Sequence, residues 1–294
     1  MVSQNLKNKL KPIVYKISKY IPSLLISNLI FYFPKLIRII GPDQEVITHR
    51  YLGNIKARTN IKYRIEGYML CGFYEPDTLA IFNKFIKRNN ICLDIGANVG
   101  ALSLAMAKLV GKNGRVYSFE PGPRNYERLS FNIKLNKGFD KIIQPIKKGV
   151  SNTEGNLYWE EEIHNPGNAV LKNNGNIEVP ITTIDNFFNN LQIPRLDFVK
   201  IDVEGMELEV LQGGIETWKV YEPIFYFESM EPFRFREEND NTKKDVFYEI
   251  ESFFKSINYS LYNINDLNKI VKTTYLHLSN NTLALKDGLK IKEF

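Results

Sequence analysis

The stretch ICLDIGANVG, residues 91–100, constrains the fold more than any other part of the chain. Five residues suited to a buried strand end at an acid, and two glycines then bracket an asparagine. Fixed glycine costs conformational entropy, so the pair implies a sharp backbone turn and a close approach by some other group. The apolar VGALSLAMAKLV that follows has helical length and little polar surface, which predicts a helix lying against the sheet. From residue 78 onward short apolar runs alternate with helical patterns: RVYSFE (115–120), NYERLSFNIKLN, KIIQPIKKGV (141–150), LDFVKIDVEG (196–205) and PIFYFES (223–229). This alternation predicts an α/β fold built on βαβ units. Between residues 151 and 182 Gly/Asn-rich turns around NLYWE and IEVPIT predict an antiparallel excursion instead of another crossover. A helix near 243–257 and the short strands YSLYNI and NTLALK close the chain.

Charge divides the chain. Residues 1–66 carry twelve Lys/Arg against three Asp/Glu, and the remainder carries 27 against 30. The basic character thus belongs to an N-terminal extension, expected to be helical (1–66), ahead of the α/β domain (67–294). That split argues against a general nucleic-acid-binding face, and DNA is not an expected partner. Within the extension, IPSLLISNLIFYFP (21–34) is apolar but falls short of the roughly 20 residues a spanning helix needs. It is read either as a helix capping the domain or, with the cations of residues 7–38, as a peripheral contact with an anionic membrane. Cys71 and Cys92 form no zinc-type spacing, which suits a reducing, cytoplasmic setting at or near the inner face of the membrane.

In an open parallel sheet, ligands lie beyond the carboxyl ends of the strands. Asp94 ends the first strand, and Gly96, Asn98 and Gly100 shape the turn after it. The dinucleotide pattern GxGxxG is absent, and a free carboxylate at Asp94 would repel a phosphate but attract an ammonium. Glu120 ends the next strand 24 residues after Gly96, the offset at which an acid accepts hydrogen bonds from ribose hydroxyls. A cation partner and a ribose partner together describe S-adenosylmethionine. For proton removal, Asp202 is the candidate base or orienting group; Glu204 and Glu228 join it if the fourth and fifth strands are neighbours. Such a trio would raise one another's pKa or take Mg²⁺. Glu204 also suits a helix N-terminus, and His164, on an irregular segment, is read as a base or a solvated loop residue.

LDIGANVG, VYSFEP, IKLN and FVKIDVEGMELEVLQGG occur in order, and together they resemble the FkbM family of S-adenosylmethionine-dependent methyltransferases over about residues 70–230. The resemblance implies a Rossmann-like class I methyltransferase sheet, mostly parallel and seven-stranded with helices on both faces. It implies O-methylation of a sugar, glycan, lipid-linked sugar or secondary metabolite. It assigns the cofactor to Asp94, Gly96, Asn98, Gly100 and Glu120, with Gly149 and Val150 beside the adenine and Glu75, in GFYEP, facing its amino-acid end. The alternatives are an RNA methyltransferase and a non-enzymatic membrane-associated binding module.

Overall fold

The structure is a computed structural model describing residues 43–162, 165–172, 175, 177–229, 243–264, 270–273 and 280–289. His164 and residues 1–42, including the proposed membrane segment, lie outside these.

A hairpin opens the described chain: β1 (Glu45–Tyr51) pairs antiparallel with β2 (Ile55–Asn60). Residues 45–60 are therefore strand where a helical extension was expected. The hairpin turns at Leu52 and Gly53, which both take positive φ. Helices α1 (Arg64–Cys71) and α2 (Pro76–Phe85) follow. The main sheet is then built from β3 (Ile91–Ile95), α3 (Ala101–Val110), β4 (Arg115–Phe119), α4 (Pro123–Lys134) and β5 (Ile143–Ile146). The expected third strand over 141–150 divides. Its second part, β6 (Gly149–Val150), leaves the main sheet and pairs with β9. Strands β7 (Gly155–Glu162), β8 (Asn165–Lys172) and β9 (Ile177–Thr182) complete this second, four-stranded sheet in the order β6-β9-β7-β8, which is the predicted excursion.

The chain returns through α5 (Ile184–Leu191) to β10 (Phe198–Ile201), then α6 (Glu207–Gln212), α7 (Ile215–Tyr221) and β11 (Ile224–Ser229). Helix α8 (Lys243–Ser256) and strands β12 (Tyr259–Ile264), β13 (Ile270–Thr273) and β14 (Asn280–Lys286) finish it. The main sheet has eight strands in the order β13-β12-β14-β11-β10-β3-β4-β5, one more than expected. The addition is the short outer β13. Strands β11, β10, β3, β4 and β5 run parallel, and β14, β12 and β13 run antiparallel to their neighbours.

Both faces of β3 are buried because β10 and β4 flank it and helices cover it on either side. On one face Cys92, Val116 and Tyr226 pack with Leu104 and Met106 of α3 and Phe82 of α2. On the other, Leu93, Ile95, Phe119, Phe225 and Phe227 pack with Trp218 and Phe254. From β3 the chain proceeds to β4 and β5 on one side and later returns to β10 on the other. The carboxyl ends of β3 and β10 thus form the switch point where a ligand cleft belongs.

Candidate active site

The parallel registers align a row of polar side chains across four strands: Ser118 on β4, Asp94 on β3, Lys200 on β10 and Tyr226 on β11. They share the face covered by α3. Ser118 donates to Ser103 Oγ at 2.9 Å, Ser103 donates to Asp94 Oδ2 at 2.5 Å, and Lys200 Nζ stands 3.2 Å from Asp94 Oδ1. Tyr226 shares a 2.7 Å hydrogen bond with Thr78. Two residues further along the same strands stand Glu120, Gly96, Asp202 and Glu228, and these four line a cleft of about 270 Å³. That volume is near the lower end of the roughly 300–1,000 Å³ of small-molecule sites.

Asp94 does not line this cleft. Alternation places Leu93 and Ile95 on one face and Cys92 and Asp94 on the other, so the Asp94 side chain turns under α3 and is fully buried. Its partners are Ser103 and Lys200, and the expectation that it meets a ligand's ammonium is corrected. Gly100 is also absent from the lining. It caps α3 at φ +87°, and a Cβ there would stand 2.6 Å from Leu129 Cδ1. At Gly96, φ is +81° and a Cβ would lie 1.8 Å from the Asp202 carbonyl oxygen. What comes close to these glycines is the protein's own chain, which locks the end of β10 onto the end of β3.

Glu120, Asn98, Gly149, Val150, Glu75, Asp202, Glu204 and Glu228 line the cleft. Glu120 is 2% exposed, and its two oxygens accept the backbone N–H of Asn98 at 2.8 Å and of Gly122 at 2.9 Å. Asn98 meets it by adopting φ +51°. Burial pushes the Glu120 carboxyl up to about 7 against the pull of these two donors. Trp159, from the second sheet, packs on Gly122, where a Cβ would stand 2.5 Å from its ring.

On the β10–β11 side, Lys200 Nζ lies 2.9 Å from the Gly96 carbonyl and 3.3 Å from Asp202 Oδ2. Burial opposes its charge, but Asp94, Asp202 and Glu75 outweigh that and hold the ammonium well above its ordinary range. It stays a cation, so it cannot serve as a base near neutrality. Glu228, half-buried, is pushed up to about 7 by burial and by the negative charges of Asp202 and Glu75. Glu75 is raised by burial and then by Asp202; it accepts from Thr78 at 2.9 Å. Glu204 (φ +55°) and Gly205 (φ +99°) take left-handed backbone, and the loop they form is held by the buried Glu207, which accepts the Gly205 N–H at 3.1 Å. Among the described residues no group of three or more His, Cys, Asp or Glu is arranged to hold a metal ion. The positive charge among these acids is supplied by Lys200.

Sequence reasoning missed Arg124 and Asn125, on the first turn of α4, and Tyr74 and Tyr226, all of which line the cleft. Lys200 was legible as a cation next to Asp202, but its place between two strand ends needed the register. Among the described residues no helix is long and apolar enough to cross a membrane.

A family model described as the methyltransferase FkbM domain matches residues 94–261, more than half of the chain. Hexuronic acid methyltransferase AglP of Haloferax volcanii is 27% identical over 140 residues, covering 47% of this chain and 56% of that protein. The chain therefore matches only about half the length of that relative. Methyltransferase sdnD of Sordaria araneosa is 26% identical over 199 residues, covering 56% of this chain and 76% of that protein. Among solved structures, a methyltransferase FkbM from Methylobacillus flagellatus superposes with a TM-score of 0.45 at 13% identity, over 76% of this chain and 54% of that one.

Proposed function

The chain belongs to the FkbM family of S-adenosylmethionine-dependent methyltransferases, and on that premise we propose that it methylates a hydroxyl of a sugar, glycan, lipid-linked sugar or secondary metabolite. The observation that carries this reading is the line of carboxylates beyond β4, β10 and β11, with Glu120 at one end and the Asp202–Glu228 pair at the other. S-adenosylmethionine, when bound, supplies an electrophilic methyl group on a positively charged sulfur. The cleft suits it chemically. Glu120 spends its oxygens on two N–H groups, yet a carboxylate has about four acceptor sites, so it can still receive ribose hydroxyls. Glu75 and Asp202 offer negative charge to an amino-acid ammonium, and Gly149 and Val150 wall the adenine side.

The chain's own task is to place an acceptor oxygen in line with the methyl carbon and to take its proton. Positioning of this kind supplies up to about 7–11 kcal/mol in favourable cases. A sugar hydroxyl is a poor nucleophile until its proton leaves, and a positioned base adds about 10²- to 10⁴-fold. Glu228 ionises near neutrality, so the Asp202–Glu228 pair receives the proton as the acceptor oxygen gains the methyl group. Glu228 is the proton acceptor and Asp202 the group orienting it. Glu204, which also lines the cleft, contacts the acceptor.

The test is transfer of labelled methyl from S-adenosylmethionine into fractionated glycans, lipid-linked sugars and small-molecule extract, followed by mild alkali. An ether formed on a hydroxyl keeps its label, whereas an ester formed on a carboxylate loses it. Alkali-labile label, or none in any fraction, would sink the proposal.

A further inference from the structure

On the β4 side of the cleft stands a side-chain relay that the carboxylate reading leaves unused. Arg124 lays its guanidinium 4.0 Å over the ring of Tyr63. One of its nitrogens donates to Glu66 Oε1 at 3.2 Å and another to Asn125 Oδ1 at 3.3 Å. Glu66 and Asn125 are each only 1% exposed, and all four residues line the cleft.

A guanidinium has only donors, so the Asn125 atom facing it is the carbonyl oxygen, and the amide nitrogen is turned the other way. That nitrogen is buried and has no hydrogen-bond partner among the described residues. Native interiors satisfy nearly all such groups, and an exception beside a cleft points to a ligand atom. Its placement is specific. Asn125, Leu129 and Asn132 share one stripe of α4 at spacings of four and three; Leu129 packs on Gly100, and Asn132 donates to the Val99 carbonyl at 2.9 Å. The same stripe carries Asn125 toward the Ala97–Val99 turn, where the Asn98 N–H holds Glu120.

A hydroxyl both donates and accepts. Glu120, when ionised, can only accept, so a ribose hydroxyl bound to it keeps an oxygen still in need of a donor. We infer that Asn125 donates its amide N–H to the ribose hydroxyl whose proton goes to Glu120, and that Arg124 and Glu66 are positioning residues that fix the orientation of that amide. The inference rests on the reading of this cleft as the S-adenosylmethionine site.

The experiment is calorimetric titration of the full chain with S-adenosylhomocysteine and with its 2′-deoxy and 3′-deoxy analogues. The wild type, Asn125→Ala and Asn125→Asp are compared, the last keeping the side-chain shape and the Arg124 contact. Loss of the relevant hydroxyl removes its bonds to both Glu120 and Asn125 and should weaken wild-type binding about a hundredfold. Both variants should bind S-adenosylhomocysteine about tenfold more weakly, and that analogue should then cost them only about tenfold, the Glu120 bond alone. Arg124→Ala should blunt the hydroxyl preference and Arg124→Lys should retain it. Thermal unfolding of each variant, with and without ligand, identifies any that is not folded. Wild-type affinity in both Asn125 variants, or an undiminished cost for each hydroxyl, overturns the inference. A wild type that binds no S-adenosylhomocysteine overturns the cofactor reading itself.

Discussion

Glu120 is held at the expense of the protein's stability, and Glu120→Gln exposes the cost. Its carboxyl is pushed from about 4.5 to about 7 by burial. Because the folded-state value is raised, the contribution to stability is present in full below the unfolded value and is lost as pH rises through about 7. At about 1.4 kcal/mol per unit, the loss between pH 5 and pH 8 comes to about 2–3 kcal/mol. For a chain of this size each kcal/mol moves Tm by about 2–4 °C, so the wild type should lose about 4–12 °C over that interval from this residue. Glu207 and Glu228 are raised as well, to about 8 and about 7, and push in the same direction. The readout is therefore the difference in Tm between wild type and Glu120→Gln, measured by circular dichroism at pH 5, 6, 7 and 8. Gln loses one of the two backbone hydrogen bonds at every pH, which offsets the curve without tilting it. The variant should gain on the wild type steadily from pH 5 to pH 8. A Tm difference that stays flat within about 1 °C would refute a carboxyl stored in this state.

Glu228→Gln should lower kcat about 10²- to 10⁴-fold while leaving S-adenosylhomocysteine affinity within a few-fold. In the wild type, kcat at saturating cofactor should rise with pH through about 7, because the base must be ionised, and that limb should vanish in the variant; persistence of the limb would assign the proton to another group. Gly96→Ala puts a Cβ against the Asp202 carbonyl at a positive φ and should destabilise by more than about 3 kcal/mol in chemical unfolding. Gly138→Ala, at φ +86° with nothing within 4 Å, should cost only about 1 kcal/mol, so equal losses at the two sites would remove the interlock. Lys200→Met leaves Asp94 buried without its cation and should cost about 3–5 kcal/mol by denaturant titration; a loss below about 1 kcal/mol would contradict that pairing.

Much of the fold was readable from periodicity. The parallel strands, the helix over 101–110 and the antiparallel excursion all follow from run length, alternation and turn residues. The hairpin at 45–60 was hidden because polar residues fill several of its buried positions, Thr48, Thr59 and Asn60 among them, so no apolar alternation marks it, and its charges belong to the basic arm. At the site, acids at successive strand ends were visible. Which way each one points was not weighed, although period two already put Asp94 with Cys92 and against Leu93 and Ile95. On that alternation Asp94 is a buried partner for a cation. The match of Asp94 to Lys200 depends on β10 lying beside β3, a long-range pairing that local sequence does not encode. Arg124 and Asn125 were missed for a related reason: their role depends on α1 and α4 meeting across the cleft.

The most direct test of the carboxylate line is an experimental structure of the protein with S-adenosylhomocysteine bound. It should show both ribose hydroxyls within hydrogen-bond distance of Glu120 and the amine among Glu75 and Asp202, with Asp94 still bonded to Ser103 and Lys200. A ligand whose ribose lies away from Glu120, or whose amine sits on Asp94, would contradict it.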